Sequence, residues 1–220
     1  GIQMYDPATD NFTPLAKLED TGETLESNIN SFIERKNGEI WVSGNVLCKL
    51  DIKDHLLTVR KVDIAVTSPG SLFEDKKQNV WMAKGEEGVY QLTPDNQLTL
   101  HLSKDNGYVK SICEDQRGNI YVGSIRKGLF IYDKERKTFV PIDLKEKGEL
   151  PVCFLYSGIP NELYIGTDGK GVVIYNIRTH EISEYKFDNN YFDSGNSKIH
   201  SILKDNSGNL WLAVYQKGVI

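Results

Sequence analysis

The sequence predicts an all-β fold, a β-propeller of four-stranded antiparallel blades with about five blades present, and three observations predict it. An aromatic residue recurs at Trp41, Trp81, Tyr121, Tyr164 and Trp211, in steps of 40, 40, 43 and 47 residues. Its flanks recur with it, as SFIERKNGEIWV, SLFEDKKQNVWM, SICEDQRGNIYV, FLYSGIPNELYI and SILKDNSGNLWL. A Gly-led apolar run follows in three of these copies, GVYQLT from Gly88, GLFIYD from Gly128 and GVVIYN from Gly171, and the chain itself opens on the same pattern, GIQMYD. Self-similarity at this period, with four strand patterns per copy, is the mark of propeller blades.

The third copy defines the unit. Ser111–Glu114, Asn119–Gly123, Gly128–Tyr132 and Thr138–Ile142 read as strands a, b, c and d, separated by turns rich in Gly and charged residues. The a–b turn ends at Gly38, Gln78, Gly118, Asn161 and Gly208, mostly residue types that tolerate a left-handed backbone. Strand a leads with Ser31, Ser71, Ser111, Phe154 and Ser201, small side chains for the crowded centre where blades converge. The aromatic of strand b is expected to fill the space between neighbouring sheets, so Trp41, Trp81, Tyr121, Tyr164 and Trp211 are structural anchors rather than a sugar-stacking platform. Asp75, Asp115 and Asp205 sit where a side chain would cap the a–b turn, a more economical reading than an acid or base.

In chain order, residues 1–15 supply strands c and d of a first blade; 29–62, 69–102, 109–142 and 152–187 are complete blades; 199–220 starts a last one. Gly218-Val219-Ile220 and Gly1-Ile2-Gln3 occupy the same three repeat positions, so in a closed five-bladed ring they would compete for one slot. The chain is therefore read as an arc of a larger propeller, cut from a longer protein.

Composition narrows the function. With 39% hydrophobic and 26% charged residues the chain can bury a sizeable core, and no apolar run approaches the length of a membrane span. Its net charge is −5, with Lys and Arg scattered, which disfavours nucleic acid as a partner because duplex binding needs a concentrated positive patch. Cys48, Cys113 and Cys153 lie in or beside strand patterns with no CxxC pair, so they read as small buried residues. His55, His101, His180 and His200 fall in different repeats without metal-ligand spacing, and no nucleophile elbow or phosphate loop is present, so no metal, cofactor or catalytic residue is expected.

The string from Asp115 to Gly123 with Gly128 to Asp133 resembles the two-component regulator propeller repeat, and looser copies stand at Asp205–Leu212 and at Asn161–Gly166 with Gly171–Asn176. Arg35 in place of the turn Asp, Gln78 in place of Gly, and the rebuilt turn of the fourth blade depart from the pattern. The resemblance implies the periplasmic sensor region of a hybrid two-component histidine kinase of polysaccharide-degrading gut bacteria, in which seven-bladed propellers precede a β-sandwich, a membrane helix, a kinase core and a DNA-binding output. It also implies that the kinase and the membrane helix lie outside this segment, that the segment is not itself an enzyme, and that the parent forms a homodimer.

In a propeller the d–a connections and b–c turns emerge on one face around the axis, so residues far apart in sequence converge there. The ligand-binding candidates are Tyr108, Tyr191, Phe192, Lys198 and His200 on the d–a side and Arg126, Lys127 and Lys170 on the b–c side, with Lys84, Glu86, Asp168, Tyr215 and Gln216 also on b–c turns and Asn196 on the last d–a connection. Aromatics, amides and cations together suit an oligosaccharide, and the cations suit uronic or sulfated sugars. Tyr191-Phe192, two adjacent aromatics in a long polar loop, is the foremost pair. A protein-interaction scaffold and a propeller lyase or hydrolase remain as alternatives, since fold alone does not decide function.

Overall fold

Alternating apolar residues bounded by Gly, Asn and Asp turns fold into short strands, each hydrogen-bonded to its sequence neighbour. A computed structural model describes residues 3–14, 29–53, 56–102, 107–144, 150–187 and 196–220. The first sheet is a hairpin of β1 (Gln3–Asp6) and β2 (Asn11–Pro14). Four four-stranded antiparallel sheets follow. They are β3 (Ser31–Glu34), β4 (Ile40–Ser43), β5 (Leu47–Lys53) and β6 (Leu56–Lys61); then β7 (Ser71–Glu74), β8 (Val80–Lys84), β9 (Gly88–Leu92) and β10 (Leu98–Leu102). Next come β11 (Val109–Glu114), β12 (Ile120–Ser124), β13 (Gly128–Asp133) and β14 (Thr138–Pro141), and then β15 (Val152–Ile159), β16 (Glu162–Thr167), β17 (Val172–Asn176) and β18 (Ile182–Glu184). A three-stranded sheet of β19 (Ile199–Lys204), β20 (Leu210–Val214) and β21 (Gly218–Val219) ends the series.

The sheets are blades of a β-propeller, because each core is shared between one sheet and the next. Trp41 and Leu47 of the first full blade pack with Leu72 and Met82 of the second; Trp81 packs with Ile112 and Phe139 of the third. Tyr121 joins Leu155 and Ile165, and Tyr164 joins Ile202 and Leu212, in the next two interfaces. Blades approach closely at strand b: a Cβ on Gly123 would stand 2.3 Å from Val152 Cγ1, and one on Gly166 2.8 Å from Ile199 Cγ2. All five a–b turns close on a positive φ, at Gly38, Gln78, Gly118, Asn161 and Gly208, where even Gln and Asn accept the left-handed conformation that Gly reaches without a Cβ penalty.

The strand-a serines do more than fit a crowded centre. Ser31 Oγ accepts the Leu72 N–H at 3.2 Å and Ser111 Oγ accepts the Leu155 N–H at 3.0 Å, so each hydroxyl ties its blade to the next. At the opposite end of strand a, Glu74 Oε2 accepts the Lys36 N–H at 2.7 Å and Glu114 Oε2 accepts the Lys76 N–H at 3.1 Å. Lys36 Nζ and Lys76 Nζ in turn reach the carbonyls of Asp75 and Asp115. In the fourth full blade Ser157 takes the place of this Glu and donates to the Glu114 carbonyl at 2.6 Å.

The aromatic anchors diverge at one end. Trp41, Trp81, Tyr121 and Tyr164 are between 1% and 7% exposed, whereas Trp211 is 47% exposed. The expectation that every anchor is shielded therefore does not hold at Trp211, because among the described residues no further sheet covers that face of the last blade. The other end is open in the same way: Phe32 is 71% exposed, while its counterparts Leu72, Ile112, Leu155 and Ile202 are buried by the preceding blade. Cys48, Cys113 and Cys153 are buried, and none forms a disulfide.

The departure at Arg35 is compensated four residues on. Glu39 stands where three of the other turns carry Asn and the fourth full blade carries Glu162; it accepts Trp41 Nε1–H at 3.0 Å and Lys49 Nζ at 2.9 Å, and pairs with Arg35 at 3.3 Å. Arg35 also meets Glu74 of the next blade at 2.8 Å, both side chains largely buried. Burial pushes the Glu39 carboxyl up, but the hydrogen bonds from Lys49, Trp41 and Asn37 outweigh it and bring it from an ordinary 4.5 to about 2.

Two predictions follow from this packing. Trp81→Ala is expected to lower stability by roughly 3–5 kcal/mol, and Trp211→Ala, whose ring already meets water, by less than about 1.5 kcal/mol; equal losses in urea unfolding would contradict burial between sheets as the role of the ring. Because the folded-state pKa of Glu39 is depressed, its contribution is complete above about pH 4.5 and is lost as pH falls toward about 2. The stability gap between wild type and Glu39→Gln should therefore narrow across that window, and a gap constant with pH would rule out the ionised carboxylate as its source.

Candidate functional site

The entry to each strand a is clamped by the b–c turns on either side of it. The Tyr108 carbonyl accepts the Ile125 N–H at 2.9 Å from its own blade, while the next residue, Val109, donates to Gly85 of the preceding blade at 2.8 Å. Pro151 and Lys198 carbonyls accept the N–H groups of Asp168 and Tyr215 at 3.0 and 2.9 Å, and Ser197 accepts that of Gly169 at 3.1 Å. The d–a connections and b–c turns thus share one face, and backbone bonds fix their relative positions.

Strand a carries a β-bulge where it enters this face. Val109 pairs with Ser124 and Ser111 with Gly123, which leaves Lys110 as the extra residue. The same step leaves Cys153 between Val152 and Phe154, and His200 between Ile199 and Ser201. In the first two full blades Asn30 and Gly70 bond the Ser43 and Ala83 carbonyls, at 2.9 and 2.7 Å, although Ser31 and Ser71 already lie opposite those residues. A bulge removes one residue from the pleat and re-aims its side chain: Lys110 lines the cleft described below and His200 is exposed, while Cys153 is buried.

Two clefts open there, on either side of Lys84. One, of about 440 Å³, is lined by Asn30, Ser68, Gly70, Lys84, Gly85, Tyr108 and Lys110 among others. The Tyr108 ring lies over Gly85, where a Cβ would stand 3.0 Å from Cε2. The other cleft, of about 470 Å³, is lined by Lys84, Glu86, Glu87, Gly107 and Arg126. Its cations are matched by carboxylates: Arg126 meets Glu86, and Lys84 meets Glu87, each at 2.8 Å.

Beyond Lys110 the mouth continues through the last two blades. Lys198 Nζ meets Asp168 Oδ2 at 2.7 Å, and the hydrogen bond raises the Lys198 ammonium above its ordinary range. His200 lies against the Tyr215 ring, with centroids 5.6 Å apart. Partial burial lowers the His200 imidazole, and the nearby positive charges of Lys198 and Lys110 lower it further, with Asp168 opposing them. Burial raises the Cys153 thiol, which keeps it protonated and unreactive.

The structure brings Tyr108, Lys198 and His200 to this mouth and places Arg126 in the second cleft. Lys127 and Lys170 stand on b–c turns, where their N–H groups bond Ser124 Oγ and Thr167 Oγ1 at 3.2 and 3.0 Å. Tyr191 and Phe192 lie outside the described residues, as does His55. His101 and His180 serve the framework: His101 bonds Gln91 and packs on Trp81, and His180 bonds the Tyr175 hydroxyl. Among the described residues no group of three His, Cys, Asp or Glu side chains is placed to hold a metal ion. Sequence reasoning missed Lys110 and Asn30. The available signal was their register, one residue before a strand-a serine, shared with the predicted His200.

The sequence model of the two component regulator propeller family matches residues 103–126 and 193–216, which span the entry, strand a and strand b of the third and last blades. No curated protein matches the chain. Among solved structures, the extracellular domain of a hybrid two component system from B. thetaiotaomicron superposes with a TM-score of 0.64 at 16% identity, over 87% of this chain and 28% of that one. PorZ, a surface component of the type-IX secretion system of Porphyromonas gingivalis, gives 0.70 at 14% identity over 94% and 34%. Virginiamycin B lyase from Staphylococcus aureus gives 0.66 at 15% identity over 84% and 63%. At these identities the likeness is one of fold, and the chain spans about a quarter to two thirds of these proteins' lengths.

The electrostatic coupling at the mouth is directly measurable. Asp168→Asn removes the charge that raises His200, so its imidazole should titrate at a lower pH than in wild type, whereas Lys198→Ala should move it to a higher one. NMR titration of the His200 ring protons reads both shifts, and a ring that moves in neither variant would show that these groups do not share one site.

Proposed function

We propose, from the premise that residues 103–126 and 193–216 are two-component regulator propeller repeats, that this chain is a ligand-sensing module of an extracytoplasmic sensor in a hybrid two-component signalling protein. The ligand it detects is an oligosaccharide, and the parent uses it to control polysaccharide-utilisation genes. The observation that carries this reading is the bulge register. A framework that repeats in turn, anchor and strand length carries a different residue at each position before the strand-a serine or its counterpart, Asn30, Gly70, Lys110, Cys153 and His200, and leaves Lys110 and His200 exposed. Uniform framework with variable display is how a rigid scaffold builds a recognition site. Tyr108 adds an exposed ring of the kind that stacks on sugar faces, and Asn30 and Lys84 add polar groups for hydroxyls.

An extracytoplasmic setting is supported by the extracellular domains among the structural neighbours. The two open faces, bearing Phe32 and Trp211, fit further blades of the same repeat, and we place the chain within a larger ring of the parent. Homodimerisation and membrane attachment belong to other parts of that parent.

Calorimetry with a panel of plant and host oligosaccharides, followed by chromatography of the mixture, tests the proposal. Heat without product is the expected outcome. Product formation would make the chain an enzyme, and neither heat nor product would leave it a protein-interaction scaffold.

A further inference from the structure

Three of the joints between successive blades use the same pair of positions. The residue three before the strand-a serine meets the b–c turn of the preceding blade, two residues beyond the partner of that blade's own strand-a serine or its counterpart. Ser68 closes its joint on Asn45, donating both its N–H and its hydroxyl to the Asn45 carbonyl at 3.1 Å. Lys198 closes its joint on Asp168 as an ion pair at 2.7 Å. In both, the polar end of the side chain is taken up by the contact. The remaining pair is Tyr108 and Gly85, and here the turn residue has no side chain to offer. The Tyr108 ring lies over the glycine, where a Cβ would stand 3.0 Å from Cε2 and 3.2 Å from Cζ, yet the residue is 39% exposed and lines the cleft of about 440 Å³. Its backbone is pinned on both sides, by Ile125 N–H on the Tyr108 carbonyl and by Val109 N–H on the Gly85 carbonyl. A ring held in this way is ordered before any ligand arrives, which lowers the entropy cost of binding.

Polar groups in the same cleft are held in place as well. Lys84 Nζ donates to Thr67 Oγ1 at 3.1 Å and meets Glu87 at 2.8 Å, so among the described residues two of its three protons are taken. Asn30 Nδ2 donates to the Pro69 carbonyl at 3.1 Å, which orients the amide and leaves its oxygen as an acceptor. The second cleft, beyond Lys84, has no aromatic residue among its described lining. We infer that the first cleft is a carbohydrate subsite, in which a pyranose unit stacks by its C–H face on the exposed face of Tyr108 while Lys84 and Asn30 bond its hydroxyls. The C–H groups of a pyranose carry partial positive charge and meet the negative face of the ring. Gly85 is the positioning residue, since a side chain there would push the ring across the cleft. This deepens the sensor reading and rests on it for the class of ligand.

The test titrates the full chain by calorimetry with neutral trisaccharides of glucose, galactose, mannose and xylose, each in α- and β-linked form. At least one should bind, and NMR should show the protons on one face of a bound sugar ring shifted upfield by the aromatic ring. Tyr108→Ala should weaken that binding at least about tenfold, with an unchanged melting temperature, while Tyr108→Phe and Tyr108→Trp retain it. Gly85→Ala should weaken it at least about threefold in the wild-type background and not at all in Tyr108→Ala, the coupling expected of a residue that acts only through the ring. Tyr108→Ala introduces no backbone strain, so it decides the matter even where Gly85→Ala does not fold. Equal affinity in wild type and Tyr108→Ala would overturn the subsite and leave the sensor reading standing. Tyr108-dependent binding accompanied by cleaved product would uphold the subsite and overturn the sensor reading. If none of the trisaccharides binds, the subsite and the sugar reading fall together.

Discussion

One carboxylate per turn holds this architecture together. Asp75 caps its own a–b turn through the N–H groups of Lys77 and Asn79, and its second oxygen takes Trp81 Nε1–H at 2.8 Å. Asp115 repeats the arrangement on Arg117, Asn119 and the Tyr121 hydroxyl, and Asp205 on Ser207, Asn209 and Trp211. An indole or phenol driven between two sheets brings a polar hydrogen with it, and burying that hydrogen unpaired would cost about as much as the hydrogen bond it lacks. The turn carboxylate removes the penalty, so a large ring can be buried whole. The first full blade shows that the acceptor matters more than its position: Arg35 has displaced the Asp, and Glu39 supplies the oxygen to Trp41 from four residues further on.

Once every blade is pinned in this way, what differs between blades is free to specialise. The outer ends of the strand-a segments are tied by Glu74 and Glu114 to the preceding turns, and the inner ends by serine hydroxyls to the following blade. Between these fixed points sits the residue before the strand-a serine, which differs from blade to blade: Asn30 donates its side-chain amide to the Pro69 carbonyl at 3.1 Å, Cys153 is buried, and Lys110 and His200 are exposed.

This division also accounts for what the sequence discloses and what it conceals. Trp81, Tyr121 and their counterparts announce the fold because packing demands the same residue class at the same place in each copy. The turn φ values are legible for the same reason, Gln78 and Asn161 included. Lys110 escapes notice because a search for sameness passes over a position that differs in each repeat, and because a bulge inverts the inside-outside alternation from which facing is read. His200 and Lys198 were visible only as loop-end residues of suitable chemistry. The exposure of Trp211 was not legible at all, since its environment depends on a neighbouring sheet rather than on its own repeat.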